Sequence, residues 1–159
     1  MGLKNDRVIY EDRMDTYVNE AVARGKLVVL STAASGTALD DNTQLGTVTA
    51  SPSGAVVLGV TLGDMVDIDA TRQFLNTQQD QTLKGGKMQL LTEGWIVTDN
   101  VEAGTIAAGE AAYIGQSGLF ANAAALASYG YTPAATDKVG RFETTADQNG
   151  YHKITVDIQ

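Results

Sequence analysis

The stretches KLVVLS at residues 26–31 and AVVLGVTL at residues 55–62 decide the fold class. Each is a continuous apolar run, the pattern of a strand buried on both faces. Gly59 interrupts the second run, and a glycine inside a strand marks a bulge or a close backbone approach. Between the two lie turn-forming residues 35–46 with Gly36, Asp40-Asp41-Asn42 and Gly46, a short strand TVTA (47–50), and a turn from Pro52 to Gly54. Working outward, MVDID (65–69) alternates apolar and acidic residues and predicts a strand with one wet face. Residues 70–84 are polar and predict a long loop or irregular helical piece anchored by Phe74 and Leu75.

KMQLL (87–91) and GWIVTD (94–99) read as two strands around Glu93-Gly94. AAYIG (111–115) and LFA (119–121) flank Gln116-Ser117-Gly118, a hairpin signal. The alanines of NAAALASYG (122–130) predict a short helix that Gly130 ends. KVGRFETT (138–145) and YHKITVDIQ (151–159) read as strands joined across Asp147-Gln148-Asn149-Gly150, whose Asn-Gly favours a tight turn. With 17 glycines, 2 prolines and only 19% charged residues, the composition also favours short strands over long amphipathic helices. The expected fold is mainly β: a small β-barrel or β-sandwich of short strands, with one or two short helices and an extended N-terminal arm.

The expected organisation is an arm or short helix over residues 1–22 and a single β-rich domain over 23–159. Met14, Tyr17, Val18, Ala21 and Val22 fall on one helical face, and Gly25 would close such a helix. The same segment also reads as an extended lead-in to the first strand. Within the domain, ARGKLVVLS (23–31) is echoed by AAGEAAYIG (107–115), VVLGVTL by KVGRFETT, and MVDID by ITVDI. Two pseudo-repeated halves, 23–69 and 107–158, are one account of this. Coincidence in a Gly/Ala-rich chain is the other.

The chain has 159 residues, enough for one domain with a real core. It has no cysteine, which excludes disulfides, thiolate metal sites and a cysteine nucleophile, and one histidine, which excludes a multi-histidine metal site. A net charge of −8 repels phosphate backbones, so no nucleic-acid partner is expected. No apolar run approaches the roughly 20 residues of a membrane span, and the charged start MGLKNDRVIYEDRMD does not read as a signal peptide.

Catalytic motifs fare no better. His152 sits on one strand face with Ile154 and Val156, and no Gly-x-Ser-x-Gly elbow accompanies it. Asp64, Asp67 and Asp69 lack the glutamate that completes a calcium loop, and read as a solvated acidic face. Gly85-Gly86-Lys87-Met88 lacks the spacing of a phosphate loop and reads as a turn. Trp95, the largest apolar side chain, is expected in the core or at a subunit interface. No catalytic residue, cofactor or metal ligand is assigned.

The glycine-punctuated strands together, A-x-G-K-L-V-V-L, V-V-L-G-V-T-L-G-D, L-L-T-E-G-W-I-V-T-D, A-A-G-E-A-A-Y-I-G…G-L-F and K-V-G-R-F, resemble the head decoration (cement) proteins of tailed bacteriophages over roughly residues 20–159. The resemblance implies a virion protein on the outer capsid surface, a β-rich homotrimer that clamps neighbouring major capsid subunits. Such a protein works by burying surface at roughly 25 cal/mol per Å², multiplied by its valency. Residues 1–13, with Lys4, Arg7, Val8, Ile9, Tyr10 and Arg13, are expected to contact the shell as an arm. A carbohydrate- or receptor-binding module of a phage tail is the alternative, and a carboxylate-dependent hydrolase comes third.

Overall fold

The computed structural model describes residues 2–4, 6–31, 44–48, 51, 53–64 and 81–158. Its elements are β1 (Val8–Val18), β2 (Val22–Ala23), β3 (Leu27–Leu30), β4 (Gln44–Thr47), β5 (Val57–Asp64), β6 (Gln81–Thr82), β7 (Lys87–Thr98), β8 (Ala111–Ile114), β9 (Phe120–Ala121), helix α1 (Ala123–Ser128), β10 (Lys138–Phe142) and β11 (His152–Asp157). Short 3-10 turns lie at Gln116–Gly118 and Ala135–Asp137. The expected mainly β fold is what forms. Of the sequence expectations, the first part (35–43) of the turn over 35–46, the MVDID strand and the Phe74–Leu75 anchor lie outside the described residues.

Nine strands join in one sheet, in the order β1-β4-β3-β5-β7-β11-β10-β8-β9, and β1 also pairs with β7. That last pairing closes β1, β4, β3, β5 and β7 into a ring. The long strand β7 serves two neighbours along one edge: its first part pairs with β5 through Met88–Leu91, its second with β11 through Glu93–Thr98. The sheet beyond it returns to the chain just after β7, where Phe120 bridges Val101 in parallel. A closed ring removes most free sheet edges.

The apolar runs that decide the fold behave as expected. Leu27, Val28 and Val29 are all buried, because alternate residues feed two different cores. Val28 joins Val18, Val22, Leu58, Met88 and Leu90 in a smaller cluster. Leu27 and Val29 join Val60, Leu62 and Leu91 in a larger one that includes Ile96, Ile114, Phe120, Phe142, Ile154 and Val156. At Gly59 the approach is close: an added Cβ would lie 2.7 Å from Leu90 Cβ and 2.9 Å from Leu91 O.

Three sequence expectations are revised. Residues 11–18 are not helical: they are the body of β1, whose antiparallel pairing to β7 and parallel pairing to β4 outweigh a helix-like spacing. The spacing is real but accidental, since Val18 ends one strand and Val22 starts the next while both reach the same core. KMQLL and GWIVTD are a single strand, β7, which runs through Glu93-Gly94. Gly94 (φ 149°) does not break it; a Cβ there would run into Val8 O, so glycine is what lets β1 lie across β7. The strand expected at 47–50 is displaced: β4 runs Gln44–Thr47, so Gln44, Leu45 and Gly46, expected in the turn over 35–46, are strand.

The remaining turns form as read. Ser117 (φ 53°) and Gly118 (φ 73°) turn β8 into β9. Asn122 caps α1 by accepting from the Ala125 N–H at 2.9 Å, and Gly130 (φ 76°) follows its end. Gly150 (φ 82°) turns β10 towards β11.

Candidate functional site

The residues expected to meet a partner divide into two groups. Lys4 is committed to the fold: its Nζ lies 3.0 Å from Asp147 Oδ2 and 4.0 Å over the Tyr151 ring, and its backbone N–H donates to Val97 O. The Asp147 carboxyl, which accepts from the backbone N–H of Tyr151, then from Lys4, and from the N–H of Asn149, is held down at about 2. Ahead of Lys4, Leu3 is buried and the Gly2 carbonyl accepts from Thr98 Oγ1 and Asn100 Nδ2. The start of the chain is therefore stitched to β7.

Val8, Ile9, Tyr10 and Arg13 lie on β1 itself, and Arg7 immediately precedes it. Their exposure follows from how β1 is registered on β7. Val8 faces Trp95 and Ile9 faces Gly94, but the next pair is Glu11 with Glu93, leaving Tyr10 as an extra residue. A bulge of this kind bends the strand and re-aims a side chain, and Tyr10 stands 71% exposed. A further irregularity lies between Arg13, opposite Leu90, and Thr16, opposite Met88. Ile9 and Met14 are also exposed. Arg13 is held by Asp15 at 3.2 Å, and Asp12 accepts from Gln89 Nε2 at 2.6 Å. The result is a strip of exposed Ile9, Tyr10 and Met14 interleaved with charges, on a rigid strand rather than a loose arm. The aromatic and arginine content is what interface hot spots are made of.

Trp95 is half-buried on the outer face of β7, between Val8 of β1 and Thr155 of β11, with Lys153 Nζ 3.8 Å over its ring. It belongs to neither core cluster. On the same side, a half-open groove of about 760 Å³ is lined by Val56, Val57, Lys138, Arg141, Thr155 and Asp157, among others. Arg141 is engaged by Glu143 at 2.9 Å, and Thr155 Oγ1 donates to the same carboxylate.

His152 is buried in β11, edge-on to Phe142 at 5.6 Å, with Nδ1 3.3 Å from Thr144 O. Those contacts describe a packed structural histidine. Among the described residues no group of three or more His, Asp or Glu is placed to hold a metal ion, and no helix is long and apolar enough to cross a membrane. Asp67 and Asp69 lie outside the described residues. Sequence reading named Tyr10 and Ile9 but missed Met14 and Glu11 as members of the strip; alternation along a strand is the usual signal, and the bulges scramble it.

In architecture this is a β-fold in which a strand ring and a second sheet share one long central strand. No family model matches the chain, and no curated protein matches it. Among solved structures, it is similar to the N base of head fiber gp8.5 of bacteriophage phi29, with a TM-score of 0.51 at 10% identity, covering 94% of this chain and 95% of that one. The likeness spans nearly the whole of both chains, so it concerns the complete fold.

Proposed function

We propose that this chain is a structural protein of a phage head: a decoration or cement protein that binds the outer surface of the capsid and stabilises contacts between major capsid subunits, acting as a homotrimer and without catalysis. The observation that carries the reading is the end-to-end fold likeness to a phage head fiber base. Supporting it is the strip on β1, where Ile9, Tyr10 and Met14 are displayed by a strand that the ring holds in place, with Arg7 just ahead of it. Val8 and Arg13 border the strip, Trp95 lies opposite Val8 on β7, and Lys4 is tied to Val97 and Asp147. A trimer multiplies a weak contact per chain into durable attachment. The reading as a sugar-binding module has less support, because Lys153 covers a face of the only tryptophan.

Since β1 is a wall of the ring, deleting the N-terminal residues would damage the fold, and point substitutions are the proper test. Purified protein is mixed with empty shells assembled from the major capsid protein of the same genome and sedimented. Wild type co-sediments; Tyr10→Ser with Ile9→Ser binds at least about tenfold more weakly while its unfolding midpoint stays close to wild type. Wild type that remains in the supernatant refutes the reading.

A further inference from the structure

The turn that joins β10 to β11 carries a reactive pair that the capsid reading does not use. Asn149 alone among the asparagines precedes a glycine; the others precede Asp6, Glu20, Thr43, Thr77, Val101 and Ala123. A glycine lacks the Cβ that would keep its own amide nitrogen away from the preceding side chain. Asn149 and Gly150 are both exposed, and no described residue bonds the Asn149 side-chain amide. Asn100 and Asn122, by contrast, each place that group on two acceptors: Gly2 O and Arg24 O for Asn100, Thr105 O and Glu110 Oε2 for Asn122.

The chemistry open to such a pair is cyclisation. The Gly150 nitrogen attacks Asn149 Cγ, and the new C–N bond forms as the Cγ–Nδ2 bond breaks. Ammonia leaves, carrying the proton that the Gly150 nitrogen gives up. Water then opens the cyclic imide at one of its two carbonyls. Opening at the side-chain carbonyl leaves aspartate at 149; opening at the main-chain carbonyl leaves isoaspartate, with the backbone running through Cγ. Solvent water is the only co-reactant.

The fold restrains this reaction at its nucleophile. Gly150 N–H donates to Asp147 O at 3.0 Å, closing the turn, and Gly150 sits at φ 82°. Asp147 then clasps both flanks of the glycine. Its Oδ1 accepts from Asn149 N–H at 2.8 Å and from Tyr151 N–H at 2.9 Å, while its own N–H donates to Tyr151 O at 2.9 Å. Its Oδ2 is paired with Lys4 Nζ at 3.0 Å. A carboxylate bonded to the amides on either side of Gly150 also opposes a second negative charge on the Gly150 nitrogen, the charge that makes it a nucleophile. Attack on Asn149 Cγ therefore waits for the turn to open locally.

We propose that Asn149 is a deamidation site of this chain and that Asp147 sets its rate by holding the β10–β11 turn closed. Isoaspartate at 149 lengthens the main chain there and shifts Gly150 N–H and Tyr151 N–H relative to Asp147, the residue on which Lys4 is anchored. The proposal is independent of the capsid reading. The test is peptide mass spectrometry that separates asparagine, aspartate and isoaspartate forms, on the full chain incubated in mildly alkaline buffer. Three samples are compared: folded wild type, wild type unfolded in guanidinium chloride, and folded Asp147→Ala. Asn149 is expected to convert in the folded chain about ten- to a hundredfold more slowly than in the unfolded one. Asp147→Ala is expected to raise the folded rate at least about threefold. Asn149 that stays intact in folded wild type well beyond that range overturns the site. Equal rates in the folded and unfolded chain overturn the restraint by the turn, and Asp147→Ala that converts at the wild-type rate overturns the control by Asp147. The folded and unfolded wild-type samples decide the first two points even where Asp147→Ala fails to fold.

Discussion

Substituting Gly140 by alanine sets two effects of opposite sign against each other. Gly140 does not occupy the left-handed region, so alanine there would restrict the unfolded chain and stabilise by about 0.4–1 kcal/mol if space allowed. Space does not allow it: the new Cβ would meet Thr155 O, with Thr155 C at 3.0 Å and Val156 Cα at 3.2 Å. These are backbone atoms of β11 that cannot rotate away, because β11 is held between β10 and β7. Overpacking against rigid neighbours costs about 1–3 kcal/mol, so the net effect is a loss of about 1–2 kcal/mol, or a Tm lower by about 3–6 °C for a chain of this size. Gly104 supplies the control: it is exposed, with nothing within 4 Å of an added Cβ and no positive φ, so Gly104→Ala is expected to raise stability. Urea unfolding followed by far-UV circular dichroism reads both, with the slope m unchanged. A Gly140→Ala protein as stable as wild type would refute the packing of β10 on β11.

Phe120 is fully buried and its backbone makes the bridge to Val101, so Phe120→Ala is expected to cost about 3–5 kcal/mol by the same assay. Asn122→Ala removes the cap of α1 and the bonds to Thr105 O and Glu110, lowering stability by about 1–2 kcal/mol. Asp147 titrates at about 2 in the fold against an ordinary 3.8, so its contribution is complete above pH 3.8 and is lost as pH falls through 2. Asp147→Asn should flatten that part of a stability–pH profile; an identical pH dependence would remove the Tyr151 and Lys4 bonds from the account.

The parts of the fold that sequence reveals are those set by neighbouring residues. Two-sided burial of β3 and β5 shows as unbroken apolar runs, and the turns at Ser117-Gly118 and Gly150 and the cap at Asn122 are local chemistry. What escapes is set across long separations. The strand identity of residues 11–18 comes from β7, seventy or more residues on, and the passage of β7 through Glu93-Gly94 comes from the need to accommodate Val8. The candidate site is half legible for the same reason. Charge and apolarity pick out Arg7, Ile9 and Tyr10, but the bulge that lifts Tyr10 into solvent exists only once β1 is registered on β7. Lys4, equally basic in sequence, is drawn along the surface to Asp147 because Leu3 and Gly2 are tied to the end of β7.

Electron cryomicroscopy of empty shells saturated with the protein addresses the central claim most directly. The account predicts added density on the outer surface, into which the fold fits with β1, and Tyr10 in particular, facing the shell. Bare shells at saturating protein, or attachment through the opposite side with β1 pointing to solvent, would contradict it.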